Sequence, residues 1–340
     1  MRPKHFFLVL MMYCLLASAP FHFVYKFGMP DWTASDFFQY YNLYKNWDID
    51  HTEAPFDMRL LSSFFVHVFY KAGIHYNTLT AFDKSPLDKQ VFFDAIFFNY
   101  LCIVSTCTVI FYTTLKYLKD WLLSFSAGLV YLLGFGTLFY EFMPLTDALS
   151  VLLFALVLYA YMSRKYWVLA LLALLIIQRE YIFMALGLIC VLDYWKFRKK
   201  YYLHVLLACI ACFAIYCVLR ETVFYTAFYN YQTSPSHFLY SVWHFKFPSG
   251  DYIRRTLATL NVFILYLLVV VYKRVKRTQI DTFNLVKLLL LFAQVNFISL
   301  TAVAMGDTGR FFYLLVPIVI FQLMKEVQPL IGEKVPGEMR

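Results

Sequence analysis

The chain has 340 residues, of which 61% are apolar and only 15% charged, and it carries a formal net charge of +9. That balance excludes a water-soluble globular domain. It also speaks against a nucleic-acid partner, because the lysines and arginines fall in short runs between apolar segments, as cytoplasmic loops of a membrane protein do.

Arg2 and Lys4 precede an apolar run that ends in Ala17-Ser18-Ala19, the pattern of a signal sequence. Pro20 directly after that site argues against cleavage, so the segment reads as an uncleaved first span over about 6–25. A first outer loop follows, about 26–91, whose stretch Asp31 to Arg59 is rich in carboxylates and tyrosines. Two amphipathic helices are expected in it. One runs from Ser35, a suitable N-cap, to Trp47, with Phe37, Tyr40, Tyr41 and Tyr44 at helical spacing. The other runs from Asp57 to Ala72 and stops at Gly73. Its apolar stripe of Leu60, Leu61, Phe64, Phe65, Val68 and Phe69 suits a helix lying on the membrane surface.

Further spans are expected at about 92–115, 121–140, 146–163, 202–220, 256–272, 283–304 and 310–325, against the roughly 17–25 residues that a crossing needs. The stretch 166–195 is interrupted by Arg179-Glu180, and is either one long helix with a buried ion pair or two short helices joined by a turn. Loop charges decide between them. Lys116 and Lys119, Arg164 and Lys165, Lys196 to Lys200, and Lys273 to Arg277 all fall on the N-terminal side of the membrane only if 166–195 crosses twice. The expected fold is therefore an all-α polytopic membrane protein of about ten transmembrane helices, a single domain over 1–340 with both termini cytoplasmic. A second long outer loop spans 222–255 and a short cytoplasmic tail 326–340.

All seven cysteines lie inside apolar segments, which argues against a disulfide framework. The C-x-x-C of Cys209 and Cys212 reads as helix packing rather than metal or redox chemistry. No pair of histidines has metal-ligand spacing on one helix, so a zinc site is not expected. A divalent metal is left open, since nothing in the sequence requires one. Asp193 and Asp281 lie beside basic runs as local charge partners, and Lys287, one turn into its span, is expected to snorkel to the inner surface.

Each outer connection carries ionisable residues at the apolar boundary. These are Asp36 and Arg59 after the first span, Glu141 and Asp147, then Arg179 and Glu180, then Arg220 and Glu221, and finally Asp307 and Arg310. Charges so placed face a cavity or one another, so five connections on one side point to a polar pocket at the headgroup level. Arginine forks bind phosphate bidentately, and a carboxylate nearby suits a general base for a hydroxyl acceptor.

Four segments resemble the GT-C class of membrane glycosyltransferases, which use polyprenyl-phosphate sugars. Asp36-Phe37-Phe38-Gln39-Tyr40 resembles the family's first-loop acid. APFDMRLLSSFFVHVFYKAG, with Arg59 opening a helix, is similar to its Arg-Leu juxtamembrane helix. FMPLTDALSVLLFALVLYAY resembles a span beginning with Thr-Asp, and GDTGRFFYLLVPIVIF, with Arg310 ahead of Val-Pro, a late span. The resemblance implies inverting transfer of a sugar from a lipid phosphate, on the periplasmic or lumenal face, to a lipid, glycan or protein acceptor. It implies Asp36 as base, with Arg59, Arg179 and Arg310 holding the phosphate. Tyr40, Glu141, Asp147, Glu180, Arg220, Glu221 and Asp307 would support the pocket. Phe37 departs from the paired acid often found there, so the D-x-D of Asp48 and Asp50 stands in reserve. The compact size points to a bacterial inner membrane over the endoplasmic reticulum. Competing readings are a transporter or flippase of lipid-linked saccharides, and an outer-face glycan polymerase or acyltransferase; for the last, His51, His237 and His244 are candidates.

Overall fold

The structure is a computed structural model that describes residues 3–28, 37–50, 52, 58–74, 79–81, 87–224, 250–302 and 312–332. Among these residues it is helical, with no strand. In chain order come α1 (Pro3–Phe27), α2 (Phe37–Asn46), α3 (Leu60–Ala72), α4 (Lys89–Leu118) and α5 (Trp121–Leu132). A π-helical turn follows at Thr137–Glu141. The order continues with α6 (Asp147–Met162), α7 (Val168–Leu175), α8 (Tyr181–Phe197), α9 (Lys200–Thr222), α10 (Gly250–Thr259), α11 (Asn261–Val275), α12 (Thr282–Ala302) and α13 (Val316–Gly332). Within the described residues, three helices are long and apolar enough to cross a membrane: His5–Phe27, Lys89–Leu118 and Lys200–Thr222. Shorter apolar helices, α3, α5, α6 and α12 among them, accompany these.

Helix α4 is the central post. It packs against α1, α3, α5, α6 and α13, and 18 of its 30 residues are buried. Asp88 starts it by accepting from the Gln90 N–H at 3.0 Å, and Asp120 starts α5 by accepting from the Leu123 N–H at 2.9 Å. Both are the short carboxylates that satisfy free N–H groups at a helix start.

The basic runs gather at one end of the bundle. Lys116 reaches Ser163 Oγ across the α4–α6 gap at 2.6 Å, and the Gln328 amide donates to Leu118 O at 2.8 Å. Lys119, Arg164, Arg198 and Arg277 there have φ between 53° and 58°, a left-handed conformation rare for residues with a Cβ. Each follows or closes a helix, where a cation meets the negative end of the helix dipole.

The interruption at Arg179-Glu180 is a turn between α7 and α8, so the alternative of one continuous helix is overturned. Helix α2 covers Phe37–Asn46 of the expected 35–47; Ser35 lies outside the described residues. Helix α3 starts at Leu60, not Asp57, with Arg59 at the N-cap position, and ends as expected at Gly73, φ 67°. Its orientation reverses the usual amphipathic order. Ser62, Ser63 and Val66 are buried, while Phe64, Phe65 and Val68 are exposed.

Three further expectations change. The span expected at 121–140 breaks after Leu132. Gly134 and Gly136 admit the Tyr313 ring against bare backbone, where any Cβ would collide with it. The span expected from 256 begins at Gly250 and is interrupted at Leu260. The last helix continues to Gly332, into the stretch expected as a tail.

Lys287 does not snorkel. It is 7% exposed and its Nζ donates to Asp193 on α8, whose other oxygen accepts from Tyr161 OH at 2.8 Å. A lysine one turn into the span reaches a carboxylate on its neighbour more readily than it reaches the surface. Asp281 is a local charge partner, of Lys325 at 2.8 Å. Lys273 and Glu326 form a second buried ion pair at the same end.

Candidate functional site

At the end of the bundle opposite the basic runs, the starts of α3, α6 and α8 are hydrogen-bonded together. The joint is the turn between α7 and α8. The Leu61 N–H donates to Ile177 O at 3.4 Å, and the Ser62 N–H to Gln178 Oε1 at 3.1 Å. Gln178 Nε2 reaches Ser62 Oγ at 2.7 Å, Thr146 O at 2.9 Å and Ser150 Oγ at 3.0 Å. One amide thus ties α3, the α7–α8 turn and the first turn of α6. Gln178 is 1% exposed, so these bonds replace solvation it has lost.

Around this joint lie the expected residues of three connections. Arg179 Nη2 donates to Asp147 in a buried ion pair, the two residues 2% and 3% exposed. The same guanidinium reaches Ser150 Oγ at 3.3 Å and Thr146 Oγ1 at 3.4 Å. Arg59 Nη1 donates to Tyr40 OH on α2, and Thr146 Oγ1 donates to the same hydroxyl at 3.3 Å. Ser63 Oγ holds Arg59 O at 3.0 Å. Tyr44, one turn beyond Tyr40, donates to Pro144 O at 3.4 Å. Burial pushes its phenol well above the ordinary range, with the charge of Tyr40 and Asp147 adding and Arg59 and Arg179 opposing. Tyr181 lies under the Arg179 guanidinium, 6.0 Å from its centre.

Arg59, Arg179, Asp147 and Tyr40 therefore stand in one cluster. Glu141 lies beside it, fully buried, at the end of the π turn, where its carboxylate accepts from Tyr131 OH. Its second oxygen has no hydrogen-bond partner among the described residues. Glu180 occupies the N-cap position of α8, and Arg220 and Glu221 lie in the last turn of α9. Asp48 and Asp50 follow the far end of α2, eight and ten residues beyond Tyr40. Asp36, Asp307 and Arg310 lie outside the described residues, as does most of the loop 222–255.

The connection 142–146 that presents Thr146 and Asp147 is pinned from α4, where the Asn99 amide donates to Met143 O and, at 2.9 Å, to Leu145 O. Sequence reading missed Asn99, Gln178, Ser62, Ser63 and Ser150. Their signal was a polar side chain inside an apolar run, which is expensive in a membrane and needs a partner. Asp94 of α4 carries the same signal. It is fully buried, and neither carboxyl oxygen has a hydrogen-bond partner among the described residues.

Among the described residues no group of three His, Cys, Asp or Glu could hold a metal ion. All seven cysteines are free, and Cys209 and Cys212 are buried in helix packing.

The arrangement suits an anion. Each helix start carries the positive end of a helix dipole, and at α3 the Leu61 and Ser62 N–H groups are spent on Ile177 O and Gln178 Oε1. Three such ends meet here with two arginine forks and two tyrosine hydroxyls. No family model, no curated protein and no solved structure matches this chain.

Proposed function

We propose that this is a membrane glycosyltransferase of GT-C type, which moves a sugar from a polyprenyl phosphate to a hydroxyl acceptor on a lipid, glycan or protein. The observation that carries the reading is the meeting of three helix starts with Arg59, Arg179, Asp147 and Tyr40. A lipid phosphate needs fixed positive charge at the membrane boundary, and that cluster supplies it.

The depth of the cluster agrees. Thirty residues of α4 span about 45 Å, against about 30 Å of hydrocarbon. With Lys116 and Lys119 holding one end at the cytoplasmic surface, the excess of about 15 Å falls at the other end. That excess reaches from Lys89 to Asn99, so Asn99 and the 142–146 connection it pins lie at the outer boundary. This topology has ten crossings with both termini cytoplasmic, in a bacterial inner membrane.

In the proposed step, the acceptor oxygen attacks the sugar's anomeric carbon from the face opposite the phosphate, inverting it. The bond from that carbon to the phosphate oxygen breaks, and the lipid phosphate leaves with the electron pair. Asp36 takes the acceptor's proton. Arg59 and Arg179 neutralise the charge gathering on the leaving phosphate. Asp147 holds the Arg179 fork in place rather than serving as the base.

The second reading is a transporter of lipid-linked saccharides. The buried pairs Lys287–Asp193 and Lys273–Glu326 favour it, because such proteins carry charges inside the membrane. Here each pair is closed on itself beside the basic runs, as a structural contact would be.

The test is sugar transfer from a polyprenyl-phosphate donor by the full chain in phospholipid vesicles. Arg179→Gln and Asp36→Asn are each expected to slow transfer by about 10²–10³, the cost of removing one preorganised group at the reacting centre. Unchanged rates in Arg179→Gln would remove the phosphate role. Passage of the intact lipid-linked sugar across the bilayer without transfer would replace the enzyme by the transporter.

A further inference from the structure

Asp94 stands on α4, where the proposed mechanism makes no use of it. It is fully buried, and neither carboxyl oxygen has a hydrogen-bond partner among the described residues. Helix α3 is what hides it. One turn before Asp94, the Gln90 amide donates to Tyr70 O at 3.3 Å. One turn after it, Phe97 and Phe98 both meet the Phe69 ring, at 6.0 and 5.9 Å. Residues three and four apart share a helix face, so Asp94 lies on the strip of α4 that the end of α3 crosses. Two turns farther along that strip Leu101 is 36% exposed, so the strip is closed locally and not by the bundle core.

The charges that could neutralise Asp94 are engaged elsewhere. At the start of α4, Asp88 accepts from Tyr70 OH at 3.0 Å and stands 3.3 Å from Lys45 of α2, while its N–H donates to Tyr41 OH. On α3, His67 Nδ1 is 2.9 Å from Tyr44 O, and Lys71 is exposed over the Tyr70 ring. On α1, Lys26 is exposed. Around the rest of α4, Asp147 is held by Arg179 and Glu141 by Tyr131. None of these groups, nor Lys89 in the first turn of α4, bonds to Asp94. A carboxylate under phenylalanine rings, with both oxygens unpartnered, gives up its hydration for nothing, whereas the neutral acid gives up far less.

We infer that Asp94 is a proton-binding site, and that its protonated form is what seats the end of α3 on α4. The start of α3 is pinned at the Gln178 joint, so the end over Asp94 is the part that lifts. Lifting brings water to the carboxyl group. Its O–H bond breaks, the proton passes to that water, and the electron pair stays on Asp94. The seated form therefore holds one proton more than the lifted form. Seating is complete at low pH and is lost as pH rises through the titration of the buried acid. The contact is a switch that reads the pH of the water at the arginine-cluster end of the bundle. It stands on packing alone and is independent of the glycosyltransferase reading.

The test uses the full chain in phosphatidylcholine nanodiscs, with hydrogen exchange read on residues 64–72 from about pH 5 to about pH 9. Protection, corrected for the intrinsic exchange rate, is expected to hold level at low pH. It is then expected to fall by about tenfold per pH unit, the slope of one released proton. Asp94→Asn has no proton to lose, and its protection is expected to stay level across the range. Asp94→Leu, expected to behave alike, serves if the Asn variant does not fold. Infrared difference spectra, parent minus folded variant, are expected to show a carboxylic acid C=O band at low pH that vanishes together with the protection. Level protection in the parent, the same fall in the variant, or no such band overturns the inference.

Discussion

The two ends of the bundle both bury charge, and they do it differently. At the basic end the charges are paired one to one: Lys287 with Asp193, and Lys273 with Glu326. Tyr161 and the Asp281 N–H fill out the carboxylates' remaining positions. At the other end, guanidinium, hydroxyl, amide and backbone groups from α2, α3, α6 and the α7–α8 turn share one network. Closed pairs hold helices together. The shared network joins the starts of α3, α6 and α8 through several groups at once. Buried pairs of the first kind are often replaceable by apolar residues of similar size, whereas breaking one partner alone is costly.

That contrast can be broken at either end. The largest effect on stability is expected from Lys287→Met, which leaves Asp193 buried without its partner. It should destabilise the chain by about 3–5 kcal/mol, and adding Asp193→Leu should recover most of the loss. Thermal unfolding in detergent measures both. A double variant that stays as unstable as the single one would show that the pair does more than hold α8 to α12.

Gln178→Leu tests the other end. It removes the amide that ties three elements and leaves the Ser62 N–H buried without a partner. About 2–3 kcal/mol is expected, from one stranded donor and the loss of several bonds. Unlike Lys287→Met with Asp193→Leu, it should also weaken phosphate binding, because it loosens the turn carrying Arg179. Binding of methyl phosphate to the protein that remains folded reads this out. Equal binding in Gln178→Leu and the parent would separate the joint from the site.

The smallest effect is expected between the two ends. Gly136→Ala puts a methyl group into the Tyr313 ring, and about 1–3 kcal/mol follows from overpacking. Restoration by Tyr313→Leu would establish the ring as the cause. An unaltered melting point for Gly136→Ala would mean that the corner after α5 is set by something other than this contact.

Parts of the site were legible because their chemistry is conspicuous in an apolar chain. Arg179-Glu180 breaks a hydrophobic run, Thr146-Asp147 opens another, and Arg59 precedes an amphipathic stretch. Each breach costs free energy that a neutral residue would avoid. Gln178, Ser62 and Ser150 carry no charge and stood out less, though they make most of the joint's bonds. Lys287 was misjudged for a related reason. Its position one turn into a span is equally suited to reaching the surface and to reaching a carboxylate on the next helix. Only the packing of α12 against α8 decides which.

The sequence by itself determined the helical, membrane-type character of the chain, the end at which the basic loops gather, and the break between α7 and α8. These follow from composition, length and charge order, which are properties of the chain taken in one dimension. The tertiary structure decided what meets what. It placed Arg59 on Tyr40 and Arg179 on Asp147, turned the polar face of α3 inward, broke α5 where Tyr313 enters, and closed Lys287 onto Asp193. Each of these depends on residues 19 to 179 apart in sequence, and no local pattern of hydrophobicity encodes which of several polar groups will share a seam.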